Sequence, residues 1–183
     1  PFLPLGREVL IFVDTENGIE VVEEQVSERT NFAAIHMTDG AELDGFLLRA
    51  GFPRHAIVLR GGDRIVRGIT SRGHLDRLLQ ETGGPLHLET DMRAHMNPTR
   101  MGEIARLAER LARRIATPCP ACEAPGFGLT GSERGLPCEC CGSETSLVRA
   151  LLSSCACCGH MVRDPRADRR VAASPSECPE CNP

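Results

Sequence analysis

Eight of the ten cysteines in this 183-residue chain form four Cys-x-x-Cys pairs, Cys119/Cys122, Cys138/Cys141, Cys155/Cys158 and Cys178/Cys181, and the first 118 residues contain none. A Cys-x-x-Cys turn presents two sulfurs on one side of a tight loop, so two turns close a tetrahedron of thiolates around one metal ion. Four turns therefore predict two four-cysteine sites, with two structural Zn2+ as the expected ions. Disulfides would require an oxidising compartment. The single repeated spacing, with glycine after Cys141 and Cys158, points to metal knuckles instead. The opening Pro1-Phe2-Leu3-Pro4-Leu5 shows neither the basic nor the apolar region of a signal peptide, and a reducing cytoplasm is expected. Cys140 and Cys157 each stand third in a Cys-x-Cys-Cys-Gly run. Ligation from that position would shorten and strain the loop, so both are read as spare, inert thiols. Residues 123–137 and 159–177 can each form a hairpin between knuckles. Sequential ribbons are favoured, because Gly126-Phe127-Gly128 and Gly131 to Gly135 supply turns between the first two pairs. A cross-braced arrangement, first pair with third and second with fourth, is the steric alternative.

A second constellation lies between Leu86 and Asn97, where His87, Glu89, Asp91, Arg93, His95 and Asn97 alternate with mostly apolar residues. In an extended chain these polar groups share one face. The run meets a helix start at Asn97-Pro98, whose free amides and dipole would favour an anion. Asp91, Arg93, Asn97 and Arg100 are accordingly predicted to converge there as an anion-binding or internal polar-network site. The plain alternative is a half-solvated strand leading into a capped helix. No catalytic residue is assigned. Asp14 and Glu16 read first as hairpin-turn residues and second as metal ligands. His36, His55 and His74 read as isolated, and His160 finds no vacancy beside four complete cysteine pairs.

These residues must be positioned by an α/β domain over residues 1–117, a mixed sheet with helices, followed by a small tandem zinc-ribbon region over 118–183. Val9 to Val13 and Ile19 to Val22 flank Asn17-Gly18, a strong hairpin signal. Further strands are predicted over Asn31 to His36, His55 to Leu59 and Arg64 to Gly68, with short helices over Ala41 to Ala50 and Gly73 to Gln80. The clearest helix runs from Pro98 to Ile115, with Met101, Ile104, Ala105, Ala108, Leu111, Ala112 and Ile115 inward and Glu103 and Glu109 on the opposite face. Asn97 is its N-cap and Pro98 its first residue, and Thr117-Pro118 ends it.

Composition narrows the function classes. The net charge is −4, and residues 119–183 carry six Arg against eight Asp plus Glu, so the ribbons lack the basic face that grips phosphate backbones. No lysine, tyrosine or tryptophan is present, which excludes a Walker lysine and a Schiff-base amine and removes most stacking platforms for single strands. No apolar run is long enough to span a membrane.

The segments Glu89-Thr90-Asp91-Met92-Arg93-Ala94, Asn97-Pro98-Thr99-Arg100-Met101, Cys119-Pro120-Ala121-Cys122 with Pro125-Gly126-Phe127, Gly135-Leu136-Pro137-Cys138 and Cys181-Asn182-Pro183 together resemble an uncharacterised bacterial family known only as a domain of unknown function. The resemblance covers the whole chain, including the Asn31 region and Gly51-Phe52-Pro53. It implies no established activity. It implies a further segment before Pro1, itself faintly similar to nucleotide pyrophosphatases, and knuckles whose middle residues are not regularly cysteine. The expected function is a cytosolic zinc-binding protein whose α/β domain binds a small molecule or protein partner. The alternative is a metal-dependent hydrolase of nucleotides or other phosphate compounds with part of its site upstream, and nucleic-acid binding through the ribbons is weaker.

Overall fold

The computed structural model describes residues 3–38 and 40–183. Pro1 and Phe2, part of the opening stretch read above for a leader, and Asp39 lie outside the described residues. In chain order the elements are β1 (Gly6–Asp14), β2 (Ile19–Ser27), β3 (Ala34–Met37), α1 (Leu43–Ala50), β4 (Ile57–Gly61), β5 (Arg64–Ile69), α2 (Arg72–Glu81), β6 (Leu86–Thr90), α3 (Pro98–Ile115), β7 (Gly128–Arg134), β8 (Val148–Ser154) and β9 (Met161–Pro165), with a 3₁₀ turn at Ala94–Met96. None of the described helices is long and apolar enough to cross a membrane. The chain forms two compact units, Pro1–Leu10 with Glu24–Ala108, and Ile11–Glu23 with Glu109–Pro183. The expected boundary at residue 117 falls just after α3 ends, while residues 11–23 and 109–117 cluster with the cysteine region.

In the first unit four strands pair in the order β3-β6-β4-β5. The α/β character is as the sequence predicts, but the pairing is not mixed, because all three ladders are antiparallel. The reason is topological. α1 carries the chain from β3 to β4, which point the same way, and β6 later enters between them running in the opposite direction. α2 likewise links β5 to β6 with β4 between. Each is a strand-helix-strand crossover, and right-handedness of both places both helices on the same face of the sheet. That face holds the core: Phe46, Leu47 and Ala50 of α1 and Leu75 and Leu78 of α2 pack with Ile57, Leu59, Ile69, Leu86 and Leu88 from the strands.

Strand alternation sends the other residues to the opposite face. His36, His87 and Arg60 are register partners across β3, β6 and β4, and Glu89 lies beside Ala34 and Val58. The third strand begins later than predicted. Asn31 adopts φ 54 and its side-chain amide donates to the Ala50 carbonyl at 2.9 Å, so the chain is still turning there. Asn is one of the few residues that tolerates this conformation.

α3 begins and ends where the sequence predicts, but its inward stripe is rotated. Glu103 and Leu107 are its buried residues, and Met101 is 45 % exposed. The outer-face placement of Glu103 is overturned because its carboxylate is satisfied inside: Gln25, Arg29 and Arg106 all reach it. Buried charge is tolerated when paired in this way.

In the second unit β7, β8 and β9 form an antiparallel sheet between the knuckles. Gly131 lies inside β7 next to a register shift and makes no turn. Of the glycines expected to reverse the chain between the first two pairs, only Gly126 (φ 93) and Gly135 (φ 99) take the left-handed backbone that favours glycine.

Candidate metal centres and polar face

The structure gathers the eight paired cysteines into two groups, Cys119, Cys122, Cys155 and Cys158, and Cys138, Cys141, Cys178 and Cys181, with all four sulfurs of each within 4.8 Å of one another. The first pair joins the third and the second joins the fourth. Sequential pairing is therefore overturned, and the glycines that argued for it lie in strand β7 and its flanks.

The geometry is that of a metal set. Thiolates about 2.3 Å from a common centre have tetrahedral edges of about 3.8 Å. The sulfur separations are 3.8 Å for Cys119 and Cys158, 3.7 Å for Cys122 and Cys155, 3.9 Å for Cys138 and Cys181, and 3.6 Å for Cys141 and Cys178. A disulfide would require about 2.05 Å, and all ten cysteines are free.

Each knuckle is built by the same backbone plan. The carbonyl of its first cysteine accepts from the amide four residues on, at Glu123, Gly142, Gly159 and Asn182. In the first three, the first cysteine's own amide donates to a carbonyl five residues on, at Ala124, Ser143 and His160. The turned loop aims amides at sulfur: Ala121 N–H at Cys119, Cys140 N–H at Cys138, and Cys157 N–H at Cys155, at 3.3 to 3.4 Å. Amides that donate to sulfur favour the thiolate. Hydrogen bonds from the side chain and amide of Ser143 hold the Cys141 thiol down to about 6. The Cys158 amide, opposed by burial and assisted by the Cys157 amide, brings Cys155 to about 7, while the neighbouring thiols of the same groups push Cys122 and Cys181 up. Cys140 and Cys157 contribute backbone and no sulfur to either group.

Three of the four loops take a left-handed residue at their fourth step, Gly142 (φ 76), Gly159 (φ 72) and, in the first knuckle, Glu123 (φ 61). A side chain in that region costs about 1–2 kcal/mol. Glu123→Gly is expected to raise the thermal stability of the cysteine-rich unit by roughly 1 kcal/mol, read by calorimetry of the metal-loaded protein. An unchanged or lowered transition would mean that the Glu123 side chain compensates for its backbone.

The second constellation divides into two sets of bonds, Asp91 with Arg93 and Asn97 with Arg100. Asp91, 2 % exposed, accepts from the Arg93 guanidinium at 2.6 to 3.2 Å, from the Arg93 amide at 3.1 Å and from the Gly68 amide at 3.0 Å. Burial pushes its carboxyl up, but Arg93 and the two amides outweigh it and the net position is below the usual carboxylate value. Arg100 donates to the Met92 carbonyl at 2.6 Å and pairs with Glu8. Fully buried Asn97 caps α3, its side-chain oxygen accepting the Arg100 amide at 3.1 Å.

The helix start leaves no amide for an anion. The Asn97 N–H goes to the Ala94 carbonyl, Pro98 has none, and the Thr99 N–H goes to His55 Nε2 at 3.3 Å. His55, read as isolated, thus helps cap α3. As acceptor at Nε2 it carries its proton on Nδ1, which is buried and unpartnered beside Gly51. A Cβ at Gly51 would stand 2.7 Å from that nitrogen. The only sequence cue to this contact is a glycine four residues before the histidine.

Glu89 and Asp14 are occupied. Glu89 accepts from Arg60 at 2.8 Å and lies 3.4 Å from His87 Nε2. Asp14 accepts from the amides of Glu16 and Asn17, as a turn residue does. Within the second unit Arg114 donates to the Val22 and Gly126 carbonyls and pairs with Glu23.

The protein is thus an α/β protein carrying two closed four-cysteine groups able to hold metal ions. It belongs to the family of the domain of unknown function DUF6671, whose profile matches residues 1–183. No curated protein and no solved structure matches the chain.

Proposed function

We propose that this is a zinc-binding protein in which two structural Zn2+ fold the cysteine-rich unit, while the α/β unit serves to bind a small-molecule or protein partner in the cytoplasm. The observation that carries the zinc reading is the pair of four-cysteine groups with tetrahedral sulfur spacing. Closed four-thiolate sets suit zinc, and with every coordination position filled by protein the role is structural. Binding rather than hydrolysis is supported by the pairing of Glu89 with Arg60 and of Asp91 with Arg93, which compensates both carboxylates without a metal. Elemental analysis of protein purified under reducing conditions is expected to give two zinc per chain. One or none would overturn the assignment.

A further inference from the structure

The open face of the β3-β6-β4-β5 sheet carries a cavity of about 330 Å³, lined by Phe32, Val58 and Met92 on its apolar side and by Arg67 and Arg93 among its charged groups. We infer that this cavity is a binding site for a small organic carboxylate, its charged end held by Arg67 and Arg93 and its apolar body resting on Phe32, Val58 and Met92. The inference deepens the ligand-binding half of the preceding reading and is independent of the zinc half.

The charge balance selects the ligand class. Of the arginines at the cavity, Arg93 is neutralised by Asp91 and Arg100 by Glu8, while the Glu89 carboxylate is neutralised by Arg60. Arg67 is exposed and has no ion-pair or hydrogen-bond partner among the described residues. One positive charge is left over, which matches a monoanion. A phosphate dianion would bring its second charge beside Glu89 and Asp91.

The donors are oriented as well as charged. Arg93 commits Nε and Nη2 to Asp91, which fixes the guanidinium plane and leaves Nη1 without a protein partner among the described residues. Gly68 makes room for it: the residue adopts φ +70, and a Cβ there would lie 3.1 Å from Arg93 Nη2 and 3.4 Å from Met96 Cε. A planar guanidinium fork matches a carboxylate in two hydrogen bonds. Phe32, 49 % exposed, is the large apolar surface that an aromatic or branched body would cover. Cavities of about 300 Å³ and above are on the scale of small ligands.

The test is titration of the whole, zinc-loaded chain with benzoate, followed by amide chemical shifts. Binding with a Kd on the order of a millimolar, and shifts centred on Arg67, Gly68 and Arg93, are expected. Arg67→Ala should weaken binding about tenfold with the melting temperature and zinc content unchanged, since Arg67 supports no other group. Gly68→Ala should weaken it too, by displacing Arg93. Tighter binding of phenyl phosphate than of benzoate would overturn the carboxylate class. Absence of shifts at ten times that concentration, or equal affinity in Arg67→Ala, would overturn the site. Because zinc content is measured on the same samples, failure here is separable from failure of the zinc assignment.

Discussion

Substitution of Cys155 by serine is expected to unfold the cysteine-rich unit as a whole, releasing about one zinc at first and the second on mild challenge with chelator. The reason is the interleaved pairing. The loop closed by the first site, from Cys119 to Cys158, contains the knuckle at Cys138/Cys141, and the loop closed by the second contains the knuckle at Cys155/Cys158. Strand β8 lies inside both loops and pairs with β7 and β9. A structural zinc contributes about 10–16 kcal/mol at neutral pH, comparable with the whole stability of a domain, so the sheet does not outlast the loss of one ion. Amide exchange should show protection lost across both four-cysteine groups and β7 to β9, with Phe46, Leu59 and Leu88 and their neighbours in the other unit still protected. Loss confined to residues 119–122 and 155–158 would show that each site stands alone.

Arg93→Ala is expected to destabilise the α/β unit by about 1–3 kcal/mol, because it removes the guanidinium from the buried carboxylate of Asp91 and leaves it two backbone amides. The effect has a pH signature. Asp91 titrates below the usual carboxylate value in the folded protein, so its stabilisation is complete above the unfolded value of about 3.9 and is lost as pH falls through the folded value. The gap between natural chain and variant, measured by urea unfolding, should therefore be full at pH 7 and shrink as pH falls through the carboxylate range, because burial without Arg93 raises Asp91 in the variant. A gap that is constant with pH would assign the loss to packing of the arginine stem instead.

Local signals were the legible part of this protein. Cys-x-x-Cys spacing names the members of the two four-cysteine groups, because a knuckle is built by bonds spanning four and five residues. Asn97-Pro98 names the start of α3, because an N-cap and a first-turn proline act on their own helix. The alternation through His87, Glu89 and Asp91 names a polar face, because strand direction is set residue by residue.

What stayed hidden depends on partners distant in sequence. Which knuckle meets which is decided by how β7, β8 and β9 pair, and glycines suited to turns serve equally well inside a bulged strand. The burial of Glu103 depends on Gln25 and Arg29, more than 70 positions away, and helical periodicity alone assigns any glutamate to water. His55 and Arg67 carry no motif. The first matters because the Thr99 amide of α3 comes to it, and the second because it has no ion-pair or hydrogen-bond partner among the described residues.

The crossed pairing also has a consequence for how the protein is made. A ribosome delivers the knuckles in sequence order, and between the emergence of Cys141 and that of Cys155 the nascent chain offers one complete set of four thiolates, the combination that the finished protein does not use. An ion captured then sits between the first two knuckles and must be handed over when the third arrives. Under the zinc reading proposed above, correct assembly would require thiolate exchange at the metal, from the first two knuckles to the crossed groups.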